Sequence, residues 1–483
     1  MGELHTIVDD PLTLVLLVAL VLLSVPPVVF MIAWRVTRLP FQARSFRWMY
    51  LAWALLLGAT STWTLSRDVS TTVEEAGAGN FVRLGFLMLG LLVILFLSAR
   101  YRFVLTSELA TGSLGIFFAF SLWGLASTLW SVLPASTLYK SVEYSTMFVL
   151  FALTASLITL TIRDPQSQML ALKSLFDWNW FLILVMLMSV YIGVVVLPEY
   201  AIMQGVGMLG FSLSGALPAI SANGVGQLAA ILGIVALVRV LHGSKSKVMY
   251  IPVLLGCLLT MVLAQSRSPI LAFLLAAVVV LIASRRLGLL ALLIGSVSLT
   301  LLSAYGGTVY EFMRRDQSEG NIQSLSGRTV YWESSLQAVR DNWLNGYGAN
   351  AGGKYILSSL GEGASTVHST YVEVLLDTGI VGLGLLLAGL LVAWFWLLKL
   401  RSHVAAHPIG RQLWFECLGV FIILSLRSGF TITFVWAPAV LVFGLVLVYI
   451  SVARRQVVQR SYTSAPRAQQ LPAARWRRPG IYR

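Results

Sequence analysis

The sequence comprises 483 residues, of which 58% are hydrophobic and only 11% are charged. Soluble domains carry about 25% charged residues, so this composition excludes an ordinary soluble protein. The net charge of +14 is compatible with nucleic-acid binding, but the distribution of the basic residues along the chain favours a membrane protein that does not bind nucleic acid.

Long apolar segments recur along the whole chain. The segments 11–34 and 431–453, for example, contain no charged residue, and each is long enough to cross a bilayer as a helix. The segments lie at 11–34, 47–66, 81–98, 114–132, 142–162, 178–198, 224–241, 248–265, 269–284, 287–304, 372–398, 412–427 and 431–453. They predict an all-α polytopic integral membrane protein with about 12 or 13 transmembrane helices.

The basic residues predict the orientation of these helices. If the N-terminus lies outside and the segments alternate, 24 of the 34 Lys and Arg residues fall in inside loops or in the C-terminal tail, and every inside loop holds at least two. Because positively charged loops tend to stay in the cytoplasm, the pattern supports this orientation. The basic tail is then expected to contact anionic lipid rather than nucleic acid.

This topology divides the chain into four parts. N-terminal transmembrane helices occupy 1–304, a periplasmic loop 305–370, C-terminal transmembrane helices 371–453 and a basic cytoplasmic tail 454–483. A loop much longer than about 15 residues is usually functional or disordered, so the 305–370 loop is the part expected to carry chemistry.

Arg267 lies in the sequence QSRSP (265–269), a short outer turn between two apolar segments with no acid nearby in the sequence. An arginine at membrane depth needs an anionic partner, and its planar guanidinium matches phosphate geometry. The alternative is an interfacial arginine whose head group reaches the water. Both interpretations also apply to Arg427, in LRSG (426–429).

The long outer loop contains a helical pattern. Trp332, Leu336, Val339 and Trp343 follow a 4-3-4 spacing, whereas the charged residues lie off this stripe. The pattern predicts an amphipathic helix in the membrane interface, opened by Arg328 and ended near Asn345-Gly346.

His368 is the one histidine of five that the predicted topology places on the outer side within an organised segment. If the apolar run from Tyr371 is a helix, His368 lies at its N-terminus, where the positive end of the helix dipole disfavours imidazolium. A neutral imidazole is what a general base requires. The alternative is a histidine that only caps the helix end.

Glu373 and Asp377 are one helical turn apart at the outer end of the same apolar run. They are candidates for acids or for partners of an arginine. On an ideal helix both point well away from His368, so a direct histidine–carboxylate dyad is not predicted.

The remaining motifs point away from cofactors. The outer carboxylates show no metal-ligand spacing and the chain has no Walker loop, so neither a metal nor a nucleotide cofactor is expected. The two cysteines, Cys257 and Cys417, lie inside apolar runs and are expected to be packing residues rather than a disulfide.

One stretch of about 60 residues resembles the O-antigen ligase family, and also the related O-antigen polymerases and bacterial protein O-oligosaccharyltransferases. The pattern is an arginine, two aromatic residues, Gly-x-Gly, and then a histidine that opens an apolar helix with an early glycine. Its residues here are Gly327, Arg328, Trp332, Trp343, Gly346-Tyr347-Gly348, His368-Ser369-Thr370-Tyr371, Glu373, Asp377-Thr378-Gly379 and Gly382. Arg267 matches the outer-face arginine of the family.

The resemblance implies a glycosyltransferase of the bacterial inner membrane whose active site faces the periplasm. Such an enzyme moves a glycan from undecaprenyl pyrophosphate to an acceptor, without a metal and with inversion at the anomeric carbon. It implies His368 as the catalytic base and Arg267 and Arg328 as pyrophosphate ligands. Tyr371, Glu373, Asp377 and Arg427 are candidate supporting residues.

Several functions within and beyond the family stay open. The moderate outer loop and short tail favour a ligase that uses lipid A-core as the acceptor, whereas the modest second outer loop at 199–223 keeps a polymerase as the alternative. A protein O-oligosaccharyltransferase is a further alternative. A transporter of lipid-linked glycans would need ionisable groups near mid-membrane, but the notable charges here cluster at outer helix ends.

Overall fold

The computed structural model describes residues 44–63, 78–101, 106–204, 208–243, 247–303, 305–314, 328–359, 366–404 and 407–464. The predicted first span at 11–34 lies outside the described residues. So do the tail from 465 and the parts 315–327 and 360–365 of the predicted loop.

The first half of the described chain is helical apart from one small hairpin. Its helices are α1 (Arg44–Thr60), α2 (Ala78–Tyr101), α3 (Thr106–Leu109), α4 (Gly112–Ala126), α5 (Pro134–Thr161), α6 (Pro165–Val196), α7 (Pro198–Ala201) and α8 (Ala222–His242). The hairpin pairs β1 (Ile202–Gln204) antiparallel with β2 (Phe211–Leu213), with Met203 opposite Ser212. The hairpin lies within the segment 199–223, which was predicted as a loop.

The second half of the described chain contains nine helices. These are α9 (Lys247–Leu263), α10 (Arg267–Ala283), α11 (Leu287–Leu302), α12 (Gly306–Arg314), α13 (Arg328–Val339), α14 (Gly352–Ser359), α15 (Thr370–Val404), α16 (Pro408–Ser428) and α17 (Ala437–Ser464). Short 3₁₀ turns follow α4 and precede α17.

Every predicted apolar segment within the described residues forms a helix, which confirms the all-α polytopic membrane fold. By length and composition, eight of the helices in this part of the chain can cross a membrane, or nine if α11 and α12, bent by 93°, count as one span. α9 and α10 are apolar but shorter. Several predicted spans are therefore shorter or more bent than an ideal membrane helix.

The core is formed by helices buried on all sides. In the candidate membrane span of α17, 94% of the residues are buried, and in that of α8 89% are buried, whereas in the span of α2 only 22% are buried. α11 has no buried residue at all. The apolar outer faces of α2 and α11 are thus available to lipid chains, and the packing of α8, α16 and α17 holds the rest together.

Helix ends meet at two faces of the bundle. One face, here called the loop face, carries α12, α13, α14 and the N-terminus of α15. At the opposite face a buried ionic network joins α6, α8 and α16. Arg239 donates through Nε to Glu416 (2.9 Å), and its Nη1 lies 2.7 Å from Oδ1 of Asp177. Arg239, which lies within the predicted apolar segment 224–241, is therefore held in the core by these two acids.

The loop helix α13 is present but differs from the prediction in its end and its buried side. It ends at Val339, and turns continue to residue 345. Trp332 and Val339 pack inward against Val367 and its neighbours, whereas Leu336 and Trp343, at 48% and 59% exposed, point outward. The predicted stripe is split between the protein and the exterior, because the buried face of α13 is centred on Ser335 rather than on Leu336.

α17 is longer than the predicted span at 431–453, since it continues through Arg454 and Arg455 to Ser464. Arg455 pairs with the buried Glu108 of α3, and Arg454 donates to Oγ1 of Thr111 (3.0 Å). The first part of the predicted tail is therefore helical and bonded to the bundle. Both cysteines are free and buried, as predicted.

Candidate active site on the loop face

The loop is attached to α15 where that helix is broken. Gly379 interrupts α15 with φ 66° and ψ −168°, which removes the helical partners of the preceding carbonyl groups. The loop supplies new ones: Tyr347 N donates to Leu376 O (3.0 Å) and Gly348 N to Asp377 O (2.8 Å). Trp123 Nε1 donates to Thr378 O (2.9 Å).

The glycines of this motif are required by close contact. Gly346 has φ 67°, and a Cβ there would lie 2.5 Å from the carbonyl group of Asp377. A Cβ on Gly379 would lie 2.1 Å from Leu344 O. Both positions combine a left-handed backbone with backbone-to-backbone packing, so only glycine fits. The Gly-x-Gly and Asp-Thr-Gly motifs therefore form one joint between the loop and α15.

The two carboxylates of α15 bind backbone groups of the loop. Asp377 accepts from Asn350 N and Gly352 N, both at 2.8 Å, at the N-terminus of α14. Glu373 accepts from Val367 N (2.8 Å), the residue before His368. A carboxylate at a helix N-terminus is electrostatically favourable. These acids thus hold two segments of the loop, at the start of α14 and just before His368.

His368 lies two residues before α15 begins, in a left-handed conformation with φ 56°. Burial lowers the pKa of His368 from 6.5 to about 4, and the nearby positive charge of Arg328 adds to the lowering. The imidazole is therefore neutral at physiological pH. The neutral form was expected from a helix dipole, but burial and Arg328 are the causes.

Arg328, the first residue of α13, reaches the turn between α16 and α17. Its Nη1 donates to Phe430 O (2.9 Å). Burial lowers the pKa of Arg328, and the positive charge of Arg267 lowers it further, so the two guanidinium groups are close neighbours. An arginine remains charged after such a shift. Arg328 is thus a charged neighbour of both Arg267 and the neutral His368.

Arg267 is the first residue of α10, and the turn before it is anchored on the hairpin side. Gln265, with φ 46°, donates through Nε2 to Phe211 O in β2. Ser266 Oγ bonds to Asn223 Oδ1 (2.5 Å) near the start of α8. Arg267 therefore stands on a fixed turn with its side chain partly exposed. The turn that the sequence predicted between two apolar segments is therefore present.

The turn after α16 contacts the start of α15. Thr370 donates to Thr431 O through N (3.2 Å) and through Oγ1 (2.9 Å). Tyr371 accepts at its hydroxyl from Ser428 Oγ (2.7 Å). Tyr371 therefore ties α15 to the end of α16, while Arg328 binds the same turn from the loop.

Arg427 lies in the last turn of α16 and is only 1% exposed. It is close enough to Arg328 for the two charges to repel each other. Arg328 is thus a charged neighbour of both other predicted site arginines and of His368. Glu373 and Asp377 instead bind loop backbone beside a small cavity of about 30 Å³, which Ser141 and Asn350 also line.

Sequence reasoning missed the contacts that build this arrangement. Phe430 and Thr431 accept hydrogen bonds through their backbone carbonyl oxygens, so their side chains do not indicate this role. Trp123 and Trp130 reach across from α4 and the turn after it to Thr378 O and Asn345 O. An indole at a helix end was the one available signal, since buried Trp N–H groups usually find acceptors.

Comparison with known proteins supports the resemblance found in the sequence. A family model described as O-antigen ligase matches residues 251–387. Residues 251–387 belong to the O-antigen ligase family. No curated protein matches the chain.

The O-antigen ligase segment begins in α9 and ends in α15, so it includes Arg267, Arg328 and His368 together with both supporting carboxylates. Arg427 lies beyond it. Membership supports a membrane glycosyltransferase-like function for a multi-pass protein that uses lipid-linked glycan substrates.

Proposed function

We propose that this protein is an O-antigen ligase, which transfers glycan from undecaprenyl pyrophosphate to lipid A-core oligosaccharide. The observation that carries the proposal is a neutral, half-buried His368 beside Arg328, which has Arg267 as a second charged neighbour. A glycosyl transfer from a diphosphate needs one group that accepts a proton and others that stabilise negative charge, and these residue types supply both.

The proposed reaction has one displacement step. The acceptor hydroxyl attacks the anomeric carbon and gives its proton to the imidazole of His368. The bond between the anomeric carbon and the diphosphate oxygen breaks, and its electron pair stays on the diphosphate. Attack opposite the leaving group inverts the anomeric carbon, and the two guanidinium groups provide the positive charge that a metal supplies in other enzymes.

The position of the site supports a lipid-borne donor. Arg267 opens α10, whose neighbour α11 has no buried side chain and is free to contact lipid. A polyprenyl chain in the bilayer could therefore approach the arginines from the side while its sugar stays in water. We accordingly place the protein in the bacterial inner membrane with the loop face toward the periplasm.

The decisive experiment uses a strain that lacks this gene. A ligase predicts lipopolysaccharide with uncapped core while lipid-linked polymer accumulates. Single repeat units on the core would instead identify a polymerase, and loss of protein glycosylation with normal lipopolysaccharide would identify a protein O-oligosaccharyltransferase.

Reconstitution distinguishes the enzyme from a transporter. Purified protein, donor and lipid A-core acceptor in detergent should yield joined product, because catalysis needs no closed membrane. Substitution of Arg328 by Ala should remove most of this product, whereas the exposed Arg340 on the turn after α13 serves as a matched control. Movement of lipid-linked glycan across proteoliposomes with no joined product would contradict the enzyme.

A further inference from the structure

Arg427 has an unusual environment for a charged side chain. It is 1% exposed, and among the described residues its Nε and Nη1 have no hydrogen-bond partner. No acid in the described ranges lies within ion-pair distance of its guanidinium. Burial of a charge without a partner is strongly unfavourable, so the arrangement needs a reason.

Arg239, the other deeply buried arginine among the described residues, shows the contrast. Arg239 is 3% exposed, and two carboxylates, Glu416 and Asp177, surround its guanidinium. Arg427 has instead a second cation, Arg328, as its charged neighbour. The α16–α17 turn connects them, since Arg328 donates to Phe430 O and Phe430 N donates to Arg427 O.

The charge on the proposed donor changes during the reaction. A diphosphate esterified at both ends carries two negative charges. When the glycosyl bond breaks and its electron pair stays on the diphosphate oxygen, the departing polyprenyl diphosphate carries three. The two positive charges of Arg267 and Arg328 balance the two negative charges of the intact donor. The third negative charge needs a further cation, and the remaining arginine of this cluster is the buried Arg427.

We propose that Arg427 supplies the third positive charge of this site and thereby favours the departing polyprenyl diphosphate over the intact donor, an inference that rests on the proposed donor site. Because the side chain is buried, Arg427 acts through the electric field and through the position of Arg328 rather than by contact. It is a positioning residue. Interactions that strengthen as charge develops accelerate the chemical step.

The test measures binding without any sugar. Farnesyl diphosphate and farnesyl monophosphate, which carry three and two negative charges, are titrated into purified full-length protein in detergent. We expect Arg427→Met to lower the ratio of diphosphate to monophosphate affinity by about tenfold, because one nearby charge is lost. Arg340→Met, at an exposed position, should leave the ratio unchanged.

Stability gives an independent readout. Methionine at 427 removes a buried charge without a partner, so ligand-free Arg427→Met should melt at a higher temperature than the native protein. In glycan transfer it should reduce kcat more than it raises KM. Arg427→Gln provides a second neutral variant of different shape, and it should lower the binding ratio in the same direction.

The outcomes separate this inference from the proposed function. An unchanged affinity ratio in both variants would overturn it, and so would failure of both neutral variants to fold, since the charge would then serve the structure. A lowered ratio in a protein that never transfers glycan would uphold the role of Arg427 in diphosphate binding while refuting the ligase reaction.

Discussion

His368 combines a left-handed backbone with a neutral side chain, and both properties come from its surroundings. Its φ of 56° turns the backbone just before α15 begins, and Glu373 accepts a hydrogen bond from the N–H of the preceding residue, Val367. Histidine tolerates this conformation better than most residues. The joint between loop and helix therefore presents an imidazole at a defined place, which is what a base in a displacement reaction needs.

Substitution of His368 tests the proposed base. His368→Ala should lower turnover by about 10²–10⁴-fold while donor binding persists. His368→Gln should be nearly as poor, because an amide can hydrogen-bond the acceptor but cannot take its proton. The assay is glycan transfer at matched membrane abundance. Substantial turnover by the Gln variant would leave His368 with a capping role only.

The pH profile tests the environment of the same residue. The pKa of His368 is lowered to about 4 in the free enzyme, so the base form exists above that pH and is lost as pH falls through it. The acid limb of kcat/KM should therefore lie near pH 4, well below 6.5. Bound diphosphate offsets Arg328 and should shift the acid limb of kcat to higher pH. A kcat/KM limb at 6.5 would show a solvated imidazole.

Arg267 is expected to act through its geometry as well as its charge. Arg267→Ala should reduce transfer by about 10²–10³-fold, as for loss of one donor that stabilises a developing anion. Arg267→Lys should not restore it fully, since an ammonium lacks the bidentate fork. Transfer rates of well-expressed variants provide the measurement, and near-normal activity of the Ala variant would refute a phosphate contact.

At the scale of elements, α6, α8 and α16 are joined by the Arg239 network rather than by apolar packing alone. Gln412 and Trp180 donate to the same carboxylate of Glu416, at 2.7 and 2.9 Å, so every charged group there has several partners. Such a network makes the relative positions of helices specific, because each partner suits one packing arrangement.

Removal of one charge should expose the strength of this network. Glu416→Gln is expected to destabilise the protein by about 3–5 kcal/mol, since Arg239 loses a bidentate partner in the core. Thermal unfolding in detergent measures the change. The matched control is Glu311→Gln, which breaks a half-exposed pair at 3.8 Å with Arg314 and should cost about 0–1 kcal/mol. Equal melting temperatures for both variants would contradict the role of the network.

The helices could be predicted more completely than the geometry of the candidate active site. Long apolar runs predicted each described span, because the lipid environment favours long uncharged segments. The end of α13 and the inward side of its aromatic residues depend on Leu357, Val367 and Leu376, which approach from distant sequence. His368, Arg267 and Arg328 were predicted from chemistry and resemblance. The position of Arg328, however, depends on its hydrogen bond to Phe430 O, and the position of the loop depends on the break in α15 at Gly379; no local sequence pattern contains either.

At the scale of the whole molecule, orientation in the membrane remains a prediction from the basic residues. Single cysteines introduced as Gly320→Cys and Ala465→Cys test it with a membrane-impermeant thiol reagent on spheroplasts. Position 320 should react from outside and position 465 only after lysis. Background is expected to be low because Cys257 and Cys417 are buried. Labelling of position 465 from outside would reverse the topology.

The attachments that surround the site consist largely of main-chain oxygen atoms. Leu376, Asp377 and Thr378 offer carbonyl groups to the loop, and Phe430 and Thr431 offer theirs to Arg328 and Thr370. Any amino acid presents the same oxygen, so evolution can replace Phe430 or Thr431 without moving the arginine or the histidine. Glycines 346 and 379 have no such freedom. Related chains can therefore diverge widely around an unchanged geometry, and only a sparse set of positions would still record their common ancestry.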